Sequence, residues 1–223
     1  VRTALVVLRK DLLLELRTLE TVPAMVLLSL ATFVIFHFGL GHQSIAGQEA
    51  AGVLVVTVLF ASMLAINRLF VAEREQGGFE AFLLAPVDRT AMFVAKAAAL
   101  FLFLAVLELF AVPAFALLLL RPSLGRALPG VVAMLALADL GIAVIGTLVS
   151  ALAVQTRARD LIGPIIGLPI QIPALIAAAR GLAGVFVSHA SGLPALEWVA
   201  VLGLYDLVFM LVAYAVFDFL LED

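Results

Sequence analysis

The sequence predicts an all-α integral membrane protein: an interfacial helix at the N-terminus, six transmembrane helices, and a short helix on the aqueous side between spans two and three. Three observations predict it. Hydrophobic residues make up 65% of the 223-residue chain and charged residues only 13%, against about 25% charged in ordinary globular proteins. Mean hydropathy is +1.24, so there is more apolar surface than one core of this size buries, and a bilayer must solvate the rest. The apolar residues also gather into six runs close to or above the roughly 20 residues that cross a hydrocarbon core as helix. We read residues 1–223 as a single transmembrane domain.

Residues 1–20 form the interfacial helix. Leu5, Leu8, Leu12, Leu16 and Leu19 make a stripe at helical spacing, with Arg9, Lys10, Asp11, Glu15 and Arg17 around the remainder. Five charges between Arg9 and Arg17 forbid a span and also interrupt any cleavable leader. A helix lying in the membrane surface tolerates them; a solvated helix packed on the protein's own body is the alternative. The spans follow at 22–40, 50–66, 90–120, 128–154, 161–179 and 197–221. The third is some 45 Å long at about 1.5 Å per residue, so it tilts, protrudes or bends, with Pro113 as the bend point. The fifth carries Pro164, Pro169 and Pro173 with Gly163 and Gly167 and is not a straight α-helix. Residues 183–195 are too short to cross alone and suit a connector or a re-entrant element. Trp198 anchors the entry to the last span.

Lysine and arginine set the orientation. Ten of the 13 (Arg2, Arg9, Lys10, Arg17, Arg68, Arg74, Arg89, Lys96, Arg157 and Arg159) fall on one side, and Arg121, Arg126 and Arg180 on the other. Between short loops this asymmetry marks the first side as cytosolic, with both termini there. The net charge of −3 gives no reason to expect nucleic-acid binding.

One charge-rich segment, 67–89, lies on that cytosolic side. Arg68 leads into Glu73-Arg74-Glu75, and Gly77-Gly78 frees the backbone to turn. Phe79, Phe82 and Leu83 then fall on one face of a short helix beside Glu80; Pro86 stops it, Asp88 is placed to cap the next helix, and Arg89 closes the segment. A short amphipathic helix hung between two spans has few duties in lipid, and docking into a partner on the aqueous side is the reading it suits. A solvated loop with screened surface pairs is the plainer one.

Chemistry-bearing motifs are sparse. There is no P-loop, H-E-x-x-H or G-x-S-x-G pattern, and no cysteine for a disulfide or thiolate site. We therefore expect no catalytic residue, no metal site and no cofactor held by this chain. His37, His42 and His189 read as polar residues near the outer face. His37 and His42 are five apart, off the spacing that puts two ligands on one helical face. Three acids, Glu108, Asp139 and Asp206, approach the bilayer midplane, where an unpaired acid costs about 2.5–3.5 kcal/mol. No lysine or arginine lies at comparable depth. For Glu108 and Asp206 a functional role and simple hydrogen-bonded packing stay open, whereas Asp139, beside Gly141 and Gly146, reads as a packing residue.

The order interfacial helix, two spans, E-R-E-x-G-G-x-E-x-x-L-x-A-P-V-x-R segment and four spans resembles the membrane subunits of type-2 ABC exporters. It is most similar to the haem exporter protein B family, CcmB, of cytochrome c maturation. The residues that carry this are Leu8-Arg9-Lys10-Asp11-Leu12, Asn67-Arg68-Leu69-Phe70, Glu73-Arg74-Glu75 and Leu83-Leu84-Ala85-Pro86-Val87-Asp88-Arg89, followed by Glu108-Leu109, Pro113, the proline ladder and Tyr205-Asp206-Leu207-Val208-Phe209. The resemblance covers nearly the whole chain. It implies a non-catalytic permease subunit of the bacterial inner membrane, present in two copies. It also implies a separate ATPase subunit, CcmA, that binds ATP and Mg, and work alongside CcmC, CcmD and the haem chaperone CcmE, which carry the haem. Residues 73–89 would then be the coupling segment that receives the ATPase stroke. A single tryptophan and no tryptophan-rich motif give no support in the sequence for direct haem binding. The competing readings are a type-2 exporter permease for a lipid, glycan or drug, a proton-coupled secondary transporter using the three acids, and a passive membrane scaffold.

Overall fold

The structure, a computed structural model, describes residues 2–70, 89–120, 124–154, 163–187 and 192–220. Of the expected coupling segment, Glu73, Arg74, Glu75, Gly77, Gly78, Phe79, Glu80, Phe82, Leu83 and Pro86 lie outside these residues.

The described residues form α1 (Arg2–Thr18), α2 (Thr21–Gly39), α3 (Gly47–Arg68), α4 (Arg89–Leu118), α5 (Leu124–Val154), α6 (Leu168–Val185) and α7 (Leu196–Leu220), with a π-helical turn, Gly163–Gly167, at the head of α6. There is no named strand among them. Six of the helices are long and apolar enough to cross a membrane, so the chain is a multi-pass α-helical membrane protein. Hydroxyls inside the spans are satisfied locally: Ser29 donates to the Met25 carbonyl, Thr57 to Val53, Ser62 to Leu59 and Thr147 to Ala143. Lipid offers no alternative partner.

Helices α3 and α5 are the most enclosed. Helix α5 packs on α3, α4, α6 and α7, while α2 lies against α3 and α4 on one flank. Close approach at the centre depends on Gly146 of α5. A Cβ there would stand 2.7 Å from a side-chain carbon of Ile66 in α3 and 2.9 Å from one of Leu100 in α4. Towards the opposite end from α1, the rings of Phe33, Phe115 and Phe186, all fully buried, stack in series at 5.5 and 5.8 Å. They join α2, α4 and the end of α6. The α2–α3 loop is stitched to the same end, Ile45 N donating to Leu119 O and Gly47 N to Phe186 O. Large apolar side chains such as Leu27 and Ile35 of α2 and Leu204 and Leu211 of α7 remain exposed, as lipid-facing residues should.

One detail adds to the sequence expectation and one differs from it. Helix α1, read as interfacial, packs along α4. The face it turns inward centres on Val7 and Asp11, both buried. Of the leucine stripe only Leu8 and Leu12 are half-buried, and Leu5, Leu16 and Leu19 stay exposed. A charged residue sits in the contact because it has a partner there, which an apolar stripe does not reveal. The fifth span also runs to Val185, beyond 179, and takes in the start of the 183–195 connector. Past the connector's middle, Gly192 (φ +78) lies against the Arg126 backbone at the head of α5, so this part caps α5. The proline ladder is accommodated as its composition requires. Pro164 falls in the π turn, Pro169 in the first turn of α6 where its missing N–H is no loss, and Pro173 inside the helix.

Candidate functional site

The residues that lead into the coupling segment, Ile66 to Phe70, are gripped from four sides. Helix α3 ends at Arg68, and Leu69 N reaches back to the Ile66 carbonyl at 3.4 Å. That same carbonyl accepts a hydrogen bond from Ser150 Oγ of α5 at 2.7 Å. Asn67 lies against Gly163 of the π turn, its Oδ1 2.7 Å from where a Cβ would stand. Arg68 Nη1 donates to Glu20 Oε2 at 3.0 Å. Lys96 of α4 donates to the Leu69 carbonyl at 2.9 Å, and its ammonium stands 5.1 Å from the centroid of the buried Phe70 ring.

Lys96 is the pivot of this collar. It is only 2% exposed, and its charge is met by Asp11 of α1, Nζ to Oδ2 at 3.0 Å; Lys10 reaches the other oxygen at 3.2 Å. The pair thus fastens α1, α4 and the end of α3 in one place. A buried pair of this kind adds little net stability over well-packed apolar residues, but breaking it by removing one partner costs about 3–5 kcal/mol. Glu15, one turn after Asp11, receives the Thr21 and Val22 amides on Oε1 at 2.9 and 2.7 Å, satisfying two orphan donors at the start of α2. The acids of α1 therefore hold the chain together on this side. Asp11, Glu15, Lys96 and Ser150 were not among the sequence-predicted site residues. The one signal for the first of these is a charge in register with the inward face of an otherwise apolar helix. Of the predicted residues at this end, Arg68 stands in the collar and Arg89 opens α4.

The three intramembrane acids converge on one level of α5. Glu108 of α4 and Asp139 of α5 approach each other across the helix contact. Two residues on, Gly141 opens room for Asp206 of α7, whose Oδ1 stands 2.7 Å from where a Cβ would be. Asp139 is 1% and Asp206 3% exposed. Both Asp206 oxygens, Glu108 Oε1 and Asp139 Oδ1 have no hydrogen-bond partner among the described residues. Next to Asp206, the Tyr205 hydroxyl donates to the Ile170 carbonyl at 2.6 Å, tying α7 to α6. At the opposite end of the spans, His37 and His42 also come together: Nδ1 of His42 lies 2.9 Å from Nε2 of His37. Spacing along one helix did not predict this, because His42 lies past the end of α2 in a left-handed turn (φ +63) that folds its ring back.

Six apolar helices, of which α3 and α5 are the most enclosed, with buried acids between them and a braced root on one side, define a multi-pass α-helical membrane protein. Comparison with known proteins makes the class particular. The chain belongs to the CcmB protein family, whose profile matches residues 2–220. It is similar to heme exporter protein B of Rhodobacter capsulatus, 32% identical over 69% of this chain and 72% of that one. It is also similar to the proteins of the same name from Paracoccus denitrificans (31%, over 70% and 75%) and Pseudomonas aeruginosa (28%, over 88% and 87%).

Proposed function

We propose that this chain is the membrane subunit of an ABC complex in cytochrome c maturation. A separate ATPase, the CcmA type, docks on residues 67–89 from the cytosol, and its ATP-driven movement serves haem delivery or release of the haem-loaded chaperone. The chain itself does no chemistry. It sits in the bacterial inner membrane with both termini cytosolic, in two copies, and works with CcmC, CcmD and CcmE proteins. Family membership and the names of the relatives support the haem side of this reading.

The single observation that supports the mechanical side is the collar. A loop of no consequence needs no buried ion pair, carbonyl clamp and aromatic contact at its root, whereas a lever needs a fulcrum. A push on residues 71–88 passes through Leu69 and Phe70 to Lys96, and so to α1 and α4 together. The test has two arms. Deleting the gene abolishes covalent haem attachment to c-type cytochromes; normal c-type haem staining in the deletion strain refutes the assignment. The chain co-purifies with a small ATPase, and Glu75→Lys or Phe82→Asp lowers both recovery and ATP turnover; unchanged recovery of both variants refutes the docking site.

A further inference from the structure

The two histidines at the end of α2 are wired together in a way that prepares one of them as a ligand. His37 Nδ1 lies 2.7 Å from the Leu118 carbonyl at the end of α4. A carbonyl only accepts, so that nitrogen carries the proton. In a neutral imidazole the other nitrogen, Nε2, is then an acceptor. His42 Nδ1 stands 2.9 Å from it and supplies the hydrogen, which leaves Nε2 of His42 with a bare lone pair. Such a chain, carbonyl to imidazole to imidazole, is the arrangement by which proteins fix the tautomer and aim of a metal-ligating histidine.

Backbone geometry points the same way. His42 follows Gly41 (φ +61) and is itself left-handed at φ +63, a conformation uncommon for residues with a side chain. It is held there by His42 N donating to the His37 carbonyl at 2.9 Å and Gly41 N to Phe38 at 3.0 Å. The turn brings His37, Phe38 and His42 into one three-ring cluster, each pair edge-on with centroids 4.7 to 5.6 Å apart. His42 is exposed, and Phe38 is 65% exposed beside it.

We infer that His42, aimed by His37, is an axial ligand for haem iron at the end of the bundle opposite the collar, with Phe38 against the porphyrin face. This rests on the haem reading of the family above. A bare metal ion is the poorer fit, because it needs three or four protein ligands and no group of three histidine, cysteine or acidic side chains gathers among the described residues. Haem brings four equatorial nitrogens of its own and asks the protein for one or two axial atoms and an apolar surface. Ligation here is donation of the Nε2 lone pair to iron and leaves the oxidation state unchanged.

The experiment is a haemin titration of the full chain in lipid nanodiscs, read by the Soret band and by the magnetic signature of imidazole-ligated iron, with empty nanodiscs as blank. His42→Asn keeps a residue that accepts the left-handed turn but removes the ligand, and it abolishes the imidazole signature. His37→Ala removes the aiming group and weakens haemin roughly tenfold. His37→Gln retains affinity, because its amide both donates to the Leu118 carbonyl and accepts from His42. An unchanged spectrum and affinity in His42→Asn, a wild-type signal equal to the blank, or stoichiometric Zn²⁺ displacing haemin from the histidines overturns the site. Cytochrome staining in the deletion strain is scored separately. If maturation needs the chain but His42→Asn binds haemin normally, this site alone fails; if maturation proceeds without the chain, the reading beneath it fails as well.

Discussion

Removing the Asp11 carboxylate tests the collar most directly. In Asp11→Ala, Lys96, only 2% exposed, keeps its bond to the Leu69 carbonyl but loses its ion pair with Asp11. Breaking a buried ion pair by removing one partner costs about 3–5 kcal/mol. Lys10 also contacts Asp11, and the Asp11 side chain is 9% exposed, so the lower end, about 3 kcal/mol, applies. Helix α1 is the element that loosens, held otherwise by the buried Val7, half-buried side chains such as Leu8 and Leu12, and the Glu15 bonds to the start of α2. The chain has no cysteine, which makes thiol labelling clean. A Val7→Cys probe on the face turned to α4 reacts in proportion to the fraction of α1 detached. A 3 kcal/mol change raises the labelling rate about a hundredfold, since each 1.4 kcal/mol is tenfold. Asp11→Leu combined with Lys96→Met replaces both charges by apolar groups of similar size and returns the rate towards wild type. A rise of less than about threefold in Asp11→Ala, under 0.7 kcal/mol on the same scale, refutes the argument. So does a double variant as reactive as the single one.

Three further outcomes follow from the packing. Gly146→Val drives a side chain into Ile66 and Leu100, already 2.7 and 2.9 Å from a Cβ, and lowers stability by about 1–3 kcal/mol as other overpacked cores do; a thermal melt in detergent reads this, and an unshifted midpoint contradicts it. Arg68→Ala removes an exposed ion pair with Glu20 and changes stability by less than about 1 kcal/mol, so the same melt stays put; a large drop would mean that the pair bears more load than its exposure allows. Glu108→Leu strands the Asp139 carboxyl and costs about 1–3 kcal/mol, whereas Glu108→Gln keeps a hydrogen-bonding group in place and costs less; equal losses in the two variants rule out the pairing.

The spans were legible because a bilayer imposes a length and a polarity that a single sequence displays without help from tertiary contacts. Six runs free enough of charge to cross became six helices, and the proline ladder announced an irregular fifth. What sequence hid are pairings. Asp11 and Lys96 are 85 positions apart, and nothing in either neighbourhood names the other. Glu108 and Asp139 each read as solitary acids, since depth along a helix says nothing of azimuth. His37 and His42 fell outside the i, i+4 rule because that rule ends where the helix ends. The leucine stripe of α1 likewise does not name the face that packs on α4, which centres on Val7 and the buried Asp11.

The π turn at Gly163–Gly167 carries a consequence for engineering. Such a turn holds one residue more than an α-helical turn, so deleting a single residue there lets the backbone close as ordinary α-helix instead of breaking it. The residues of the turn that precede the deletion would then shift by about 100° around the helix axis, one residue's step on a 3.6-fold helix, while α6 stays seated on its neighbours. The turn is a built-in dial on the chain entering α6, and a one-residue deletion series across 163–167 would show whether the protein tolerates a different setting.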